Sequence, residues 1–123
     1  MQIEALKEEF CVCAIRDFSG VDFSAKYCFL AKTDVEKSVV CLQTEVPANA
    51  TRVDAGWRCF RVKGPLEFSL IGVLADISGT LAKSGIPIFA VSTYDTDYIL
   101  TKSKDFRKAL DALQSSGYII SWR

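Results

Sequence analysis

The sequence predicts an α+β fold built on the order β-α-β-β-α-β, preceded by a shortened copy of the same plan. Three observations carry this. Two helix-spaced apolar stripes lie in the second half. Short strand-like runs flank them. An offset of sixty residues lays the first half onto the second with matched hydrophobic order.

In chain order, residues 1–9 read as an amphipathic lead-in, and Phe10–Arg16 is an apolar run suited to a strand. Asp17–Ser24 is rich in turn formers and reads as a loop. Lys26–Lys32 and Ser38–Thr44 are strands joined by the turn Thr33–Lys37, and Pro47–Ala50 breaks the pattern. Trp57–Val62 is the next strand, closed by Gly64-Pro65. Leu70, Leu74, Ile77 and Leu81 are spaced four, three and four apart, one stripe of a helix that Gly85 stops and Pro87 cannot continue. Ile86–Thr93, apolar at most positions, reads as a central strand. Tyr94–Asp97 turns the chain and Tyr98–Thr101 returns. Ser103 is placed to cap a second helix with the stripe Phe106, Ala109, Leu110 and Leu113. Gly117 ends that helix, and Tyr118–Trp122 is the last strand.

Residues 57–122 are therefore expected to form a ferredoxin-like domain: a four-stranded antiparallel sheet with both helices on one face. Under the sixty-residue offset Phe29 falls on Phe89, Thr33 on Thr93 and Val39 on Ile99. The chain is thus expected to be duplicated: a degenerate repeat over 1–54 that lost a helix, and a complete domain over 55–123.

Composition narrows function. Fifteen basic against fifteen acidic residues give no net charge, which removes the basic footprint of nucleic-acid binding and any polybasic membrane patch. The chain has no histidine, so the commonest general base and metal ligand is missing. No apolar run approaches the ~20 residues of a membrane span. The charged N-terminus is unlike a signal peptide, so a cytoplasmic location is the expectation. Five cysteines (Cys11, Cys13, Cys28, Cys41 and Cys59) lie inside apolar runs, with no C-x-x-C spacing. They read as small buried hydrophobes in a reducing compartment, and no metal, cofactor or catalytic residue is expected.

Several stretches resemble a known family. Gly56–Leu66 runs into Phe68-Ser69-Leu70-Ile71-Gly72-Val73-Leu74, and Ile88–Leu100 follows with the segment Ser92-Thr93-Tyr94-Asp95-Thr96-Asp97. Thr33-Asp34, Glu36 and Ser38–Cys41 fit in the first half. The chain resembles small prokaryotic proteins of two tandem ACT-like repeats, related to the ACT modules of the cytosolic arginine sensors. The resemblance implies a non-catalytic regulatory sensor that binds a small-molecule effector, an amino acid, at an interface between ACT units. It implies a homodimer and a regulated protein partner, with no nucleic acid and no membrane.

Candidate ligand contacts follow. Residues Ser69, Leu70, Ile71, Gly72 and Val73 join a strand to a helix N-terminus, whose free N–H groups favour a carboxylate. The alternative is that Ser69 only caps the helix. In the second hairpin Asp97 can accept hydrogen bonds from an ammonium group, Thr93 and Thr96 offer hydroxyls, and Tyr94 an aromatic wall. An ordinary turn explains the same residues. The resemblance adds Ser38 and Val39, through backbone groups. Rival readings are a ligand-free structural or protein–protein interaction module, an RNA-binding domain without its aromatic signature, and an acylphosphatase-like enzyme without its arginine-bearing anion loop.

Overall fold

The computed structural model describes residues 1–63 and 72–123. The elements are β1 (Gln2–Ile15), β2 (Cys28–Lys32), β3 (Lys37–Leu42), β4 (Ala50–Val62), α1 (Val73–Lys83), β5 (Ile88–Ser92), β6 (Asp97–Lys102), α2 (Ser103–Ser115) and β7 (Ile119–Trp122). Short 3-10 turns occupy Phe18–Gly20 and Gln43–Glu45. This is an α+β architecture, with two helices and strands in the order that the second half predicts.

The chain divides into two compact units. One comprises Met1–Lys7 with Arg58–Arg123, the other Glu8–Trp57. The long strands β1 and β4 each give one half to each unit. Sequence places the boundary between 54 and 55 and leaves residues 1–9 outside any strand. In the structure Met1–Lys7 belongs with the C-terminal residues, and β1 starts at Gln2. Lys7, Glu8 and Glu9 mask this strand in the sequence. Ile3 and Ala5 alternate with polar neighbours, but the phase slips at the buried pair Ala5-Leu6.

In the C-terminal unit the strands run β7–β1–β4–β6–β5. β7 pairs in parallel with β1, Gln2 opposite Ile119 and Ala5 opposite Trp122. A plain β-α-β-β-α-β sheet would lay the last strand against the first, but here the start of β1 is inserted between them. Its core joins Ile3, Phe60, Val62 and Ile99 of the strands to Ile77 and Leu81 of α1 and to Phe106, Ala109, Leu110 and Leu113 of α2. Both apolar stripes predicted for the helices thus face one core, with Leu74 only half-buried at its margin and Leu70 outside the described residues. Arg58 ties this unit at its edge. Its guanidinium lies 4.5 Å from the Phe106 ring centre and 5.9 Å from that of Trp122, and its Nη2 donates to Leu6 O at 3.0 Å.

Three local expectations change. β5 ends the strand order rather than lying centrally, since β6 takes the place beside β4. Its apolar run reflects half-burial of Ile88, Phe89 and Val91. Ser103 is the first residue of α2, not its cap, because β6 passes into the helix without a loop and Lys102 stands at the N-cap position. β4 starts at Ala50, seven residues before the expected Trp57.

In the N-terminal unit the order is β2–β3–β1–β4. Cys11, Cys13, Ile15, Val39 and Cys41 form its core, with Phe18, Val21 and Val46 packed on them. Those last three come from the two 3-10 turns and the residues just after them. The residues of these turns thus cover the cysteine-lined face of this unit's sheet. On the N-terminal unit's sheet Phe10 meets Tyr27, with ring centres 5.6 Å apart.

Candidate functional site

α1 begins immediately after Gly72, which has φ 80° and ψ 8°. That left-handed conformation suits glycine, and no side chain among the described residues caps this helix end. The first N–H groups of an α-helix have no partner within the helix. Asp76 N is the first to reach back, to Gly72 O at 2.8 Å.

A cavity of about 330 Å³ opens at this end of α1, lined by Met1, Gly72, Val73, Asp76, Ser116, Gly117 and Tyr118. It lies wholly within the C-terminal unit, and its volume is in the lower range of small-ligand sites. Gly117, with φ 99°, makes the turn from α2 into β7 that brings Tyr118 beside α1. The Tyr118 hydroxyl donates to Asp76 Oδ2. Burial, and next the bond to Asp76, push the Tyr118 phenol up to about 12. The cavity therefore presents a helix N-terminus for a negative group and the Asp76 carboxylate for a positive one.

The structure separates the sequence-predicted residues. Gly72 and Val73 line the cavity. Ser69, Leu70 and Ile71 lie outside the described residues. Thr93, Tyr94, Thr96 and Asp97 form the turn between β5 and β6 and do not line it. Thr93 N donates to Thr96 O at 2.8 Å, closing the turn. Thr96 is buried, and its hydroxyl donates to Val62 O at 2.7 Å, so it anchors the turn to the end of β4. Asp97 Oδ1 accepts from the Ser92 hydroxyl at 2.6 Å. Tyr94 is 82% exposed at the tip. In the N-terminal unit Val39 is in the core, its backbone between Cys13 of β1 and Leu30 of β2. Ser38 beside it is half-buried opposite Ala14 and Ala31.

Asp76 and Tyr118 escaped the sequence reading. They lie 42 positions apart, and each has an ordinary local explanation: an acid in the first turn of a helix and an aromatic at a strand start. Only the α1–α2 packing brings them together.

The hairpins β2–β3 and β5–β6 are alike in detail. Each pairs five residues with five, from Lys32 opposite Lys37 and from Ser92 opposite Asp97. Thr33 N donates to Glu36 O at 2.9 Å, as Thr93 N does to Thr96 O at 2.8 Å.

Comparison with known proteins agrees with this fold. A family profile for the ACT domain matches residues 52–115. Protein Atu0741 of Agobacterium tumefaciens, known from its crystal structure, is 31% identical over 99% of this chain and 92% of its own, with a TM-score of 0.83. The Clostridium acetobutylicum aspartate kinase, an allosteric enzyme, is 15% identical over 92% of this chain and 33% of its own, with a TM-score of 0.68. The Synechocystis aspartate kinase is 16% identical over 98% of this chain and 27% of its own, with a TM-score of 0.69. At such identities the kinases share the fold alone.

Proposed function

Because the chain belongs to the ACT domain family, a family of regulatory, non-catalytic modules, we propose that it is a sensor for a small-molecule effector, an amino acid. The observation that carries this is the cavity at the N-terminus of α1, which no side chain among the described residues caps. A zwitterion complements it. The effector carboxylate meets the first N–H groups of α1, which have no partner within the helix, and the effector ammonium meets Asp76, whose carboxylate also accepts from Tyr118. Ser69, Leu70 and Ile71 precede Gly72 in the chain and complete the contacts on the carboxylate side.

The effector binds where ACT units meet, between two copies of the chain in a homodimer. Thr93, Tyr94 and Asp97 of the β5–β6 turn are contacts from the partner side of such an interface, whereas Thr96 and Val39 are buried and Ser38 belongs to the other unit. The exposure of Tyr94 and the half-burial of Asp97 are compatible with that role. The two hairpins, offset by sixty residues with matching registers and turns, support descent of the N-terminal unit from a duplicated ACT repeat. Effector binding shifts the dimer between two arrangements by its differential affinity for them, typically about 1–3 kcal/mol, and so alters the surface offered to a regulated protein partner. We place the protein in the cytoplasm; no helix among the described residues is long and apolar enough to cross a membrane.

The test is isothermal titration of the whole protein with each of the twenty amino acids. Binding by one of them, weakened at least tenfold in Asp76→Asn, supports the sensor. A folded protein that binds none of them favours the second reading, a ligand-free interaction module. The half-exposed Trp122 and the end-strand position of β5 are what favour that reading.

A further inference from the structure

Four of the five cysteines share one face of the N-terminal unit's sheet. Cys11 on β1 stands directly opposite Cys41 on β3, and Cys41 directly opposite Cys28 on β2. Residues opposite each other across strands lie on the same face. Cys13, two positions along β1 from Cys11, shares it too. Cys11 Sγ is 3.6 Å from Cys13 Sγ and 3.7 Å from Cys41 Sγ. All three sulfurs lie within 4.8 Å of one another, and all three residues are buried.

These separations suit a metal. At the zinc–thiolate bond length of about 2.3 Å, three sulfurs around one ion in a plane lie about 4.0 Å apart. A cavity of about 10 Å³ adjoins the cluster, lined in part by Cys28, Cys41, Asp22 and Glu45. It is about the size of one water or ion. Glu45 Oε2 is buried with no hydrogen-bond partner among the described residues, so an acidic group stands open beside the cluster where a cation would approach it.

We propose that Cys11, Cys13 and Cys41 form a three-sulfur site for one cuprous ion, entered past Cys28, Asp22 and Glu45. Soft sulfur ligands without histidine select Cu(I), Zn(II) or iron–sulfur clusters. Structural zinc almost always takes four ligands, whereas the tight cluster offers three. Hard cations such as Mg²⁺ and Ca²⁺ take oxygen ligands, so an all-sulfur donor set does not suit them. The site is independent of the effector cavity, which lies wholly in the C-terminal unit.

Anaerobic titration of the reduced whole protein with Cu(I), in competition with a chromogenic cuprous chelator, tests this. The expected result is one Cu(I) retained per chain, with proton release and a sulfur-to-copper charge-transfer band. Retention should be lost in Cys41→Ala and kept in Cys59→Ala, whose residue lies outside the cluster. X-ray absorption on the copper-loaded native protein, which does not depend on any variant folding, should show three sulfur neighbours. Failure to hold Cu(I) against the chelator, equal retention by a folded Cys41→Ala, or a shell of two sulfurs or of nitrogen and oxygen overturns the proposal. So does a site that takes Zn(II) and refuses Cu(I).

Discussion

The two hairpins have the same register and the same backbone turn but are held differently. At the end of the β5–β6 turn stands Thr96, buried and bonded to Val62 O. Sixty residues earlier stands Glu36, exposed, in a turn whose Thr33 hydroxyl accepts from its backbone N–H at 3.1 Å. The same contrast runs through the two units. The C-terminal unit has two helices and a core of large side chains. The N-terminal unit has 3-10 turns and a core lined with thiols. Two like hairpins thus belong to units of different chemistry: a core of large side chains beside a cavity in one, a cluster of thiols in the other.

The largest effects should come from the cores. Phe60→Ala is expected to lower unfolding free energy by about 3–5 kcal/mol, and Val39→Ala by about 2 kcal/mol. Urea denaturation followed by circular dichroism measures both. Equal losses would erase the difference in packing between the units.

Alkali should separate the units next. Burial raises Cys11 and Cys41 from 9.0 to about 11, partly offset by their contacts with Cys13 and Cys11 respectively; burial and next the Cys11 contact raise Cys13 to about 12, and Tyr118 rises from 10.0 to about 12. In each case the folded state holds the proton more tightly. That stability is complete below the unfolded value and is lost as pH rises through the folded one. Thiol-linked loss should begin near pH 9 and the Tyr118-linked loss near pH 10, the latter reaching about 3 kcal/mol only once pH passes the folded value. Stability measured from pH 8 to pH 11 in Tyr118→Phe should keep the first loss and lack the second. A flat profile in the native protein would contradict both assignments.

Smaller still is the turn itself. Thr96→Val leaves Val62 O without its donor and should cost about 1–3 kcal/mol, whereas Glu36→Gln should change stability by less than about 0.5 kcal/mol. Paired thermal melts decide it; equal shifts would mean the hairpins are anchored alike.

Much of the fold was legible in the sequence because periodicity reports burial. The stripes at Ile77 and Leu81, and from Phe106 to Leu113, lie in the core as their spacing requires. The start of β1 was not legible, since Lys7, Glu8 and Glu9 interrupt its alternation. Nor was its insertion beside β7, a pairing across more than a hundred residues. Of the candidate site, Gly72 and Val73 could be read from a glycine before an apolar stripe. Asp76, Tyr118 and the meeting of Cys41 with Cys11 and Cys13 could not, because these neighbours come from distant parts of the chain.

The most direct test of the effector site is differential scanning fluorimetry of the whole protein and of Ser116→Phe against the twenty amino acids. Ser116 is exposed at the cavity wall with φ −90°, so phenylalanine there fills the cavity without backbone strain. A ligand at a hundred times its Kd adds about 2.7 kcal/mol, several degrees for a domain of this size. The account predicts such a rise with one amino acid in the native protein and none in Ser116→Phe. No rise with any amino acid, or an equal rise in the filled variant, would contradict it.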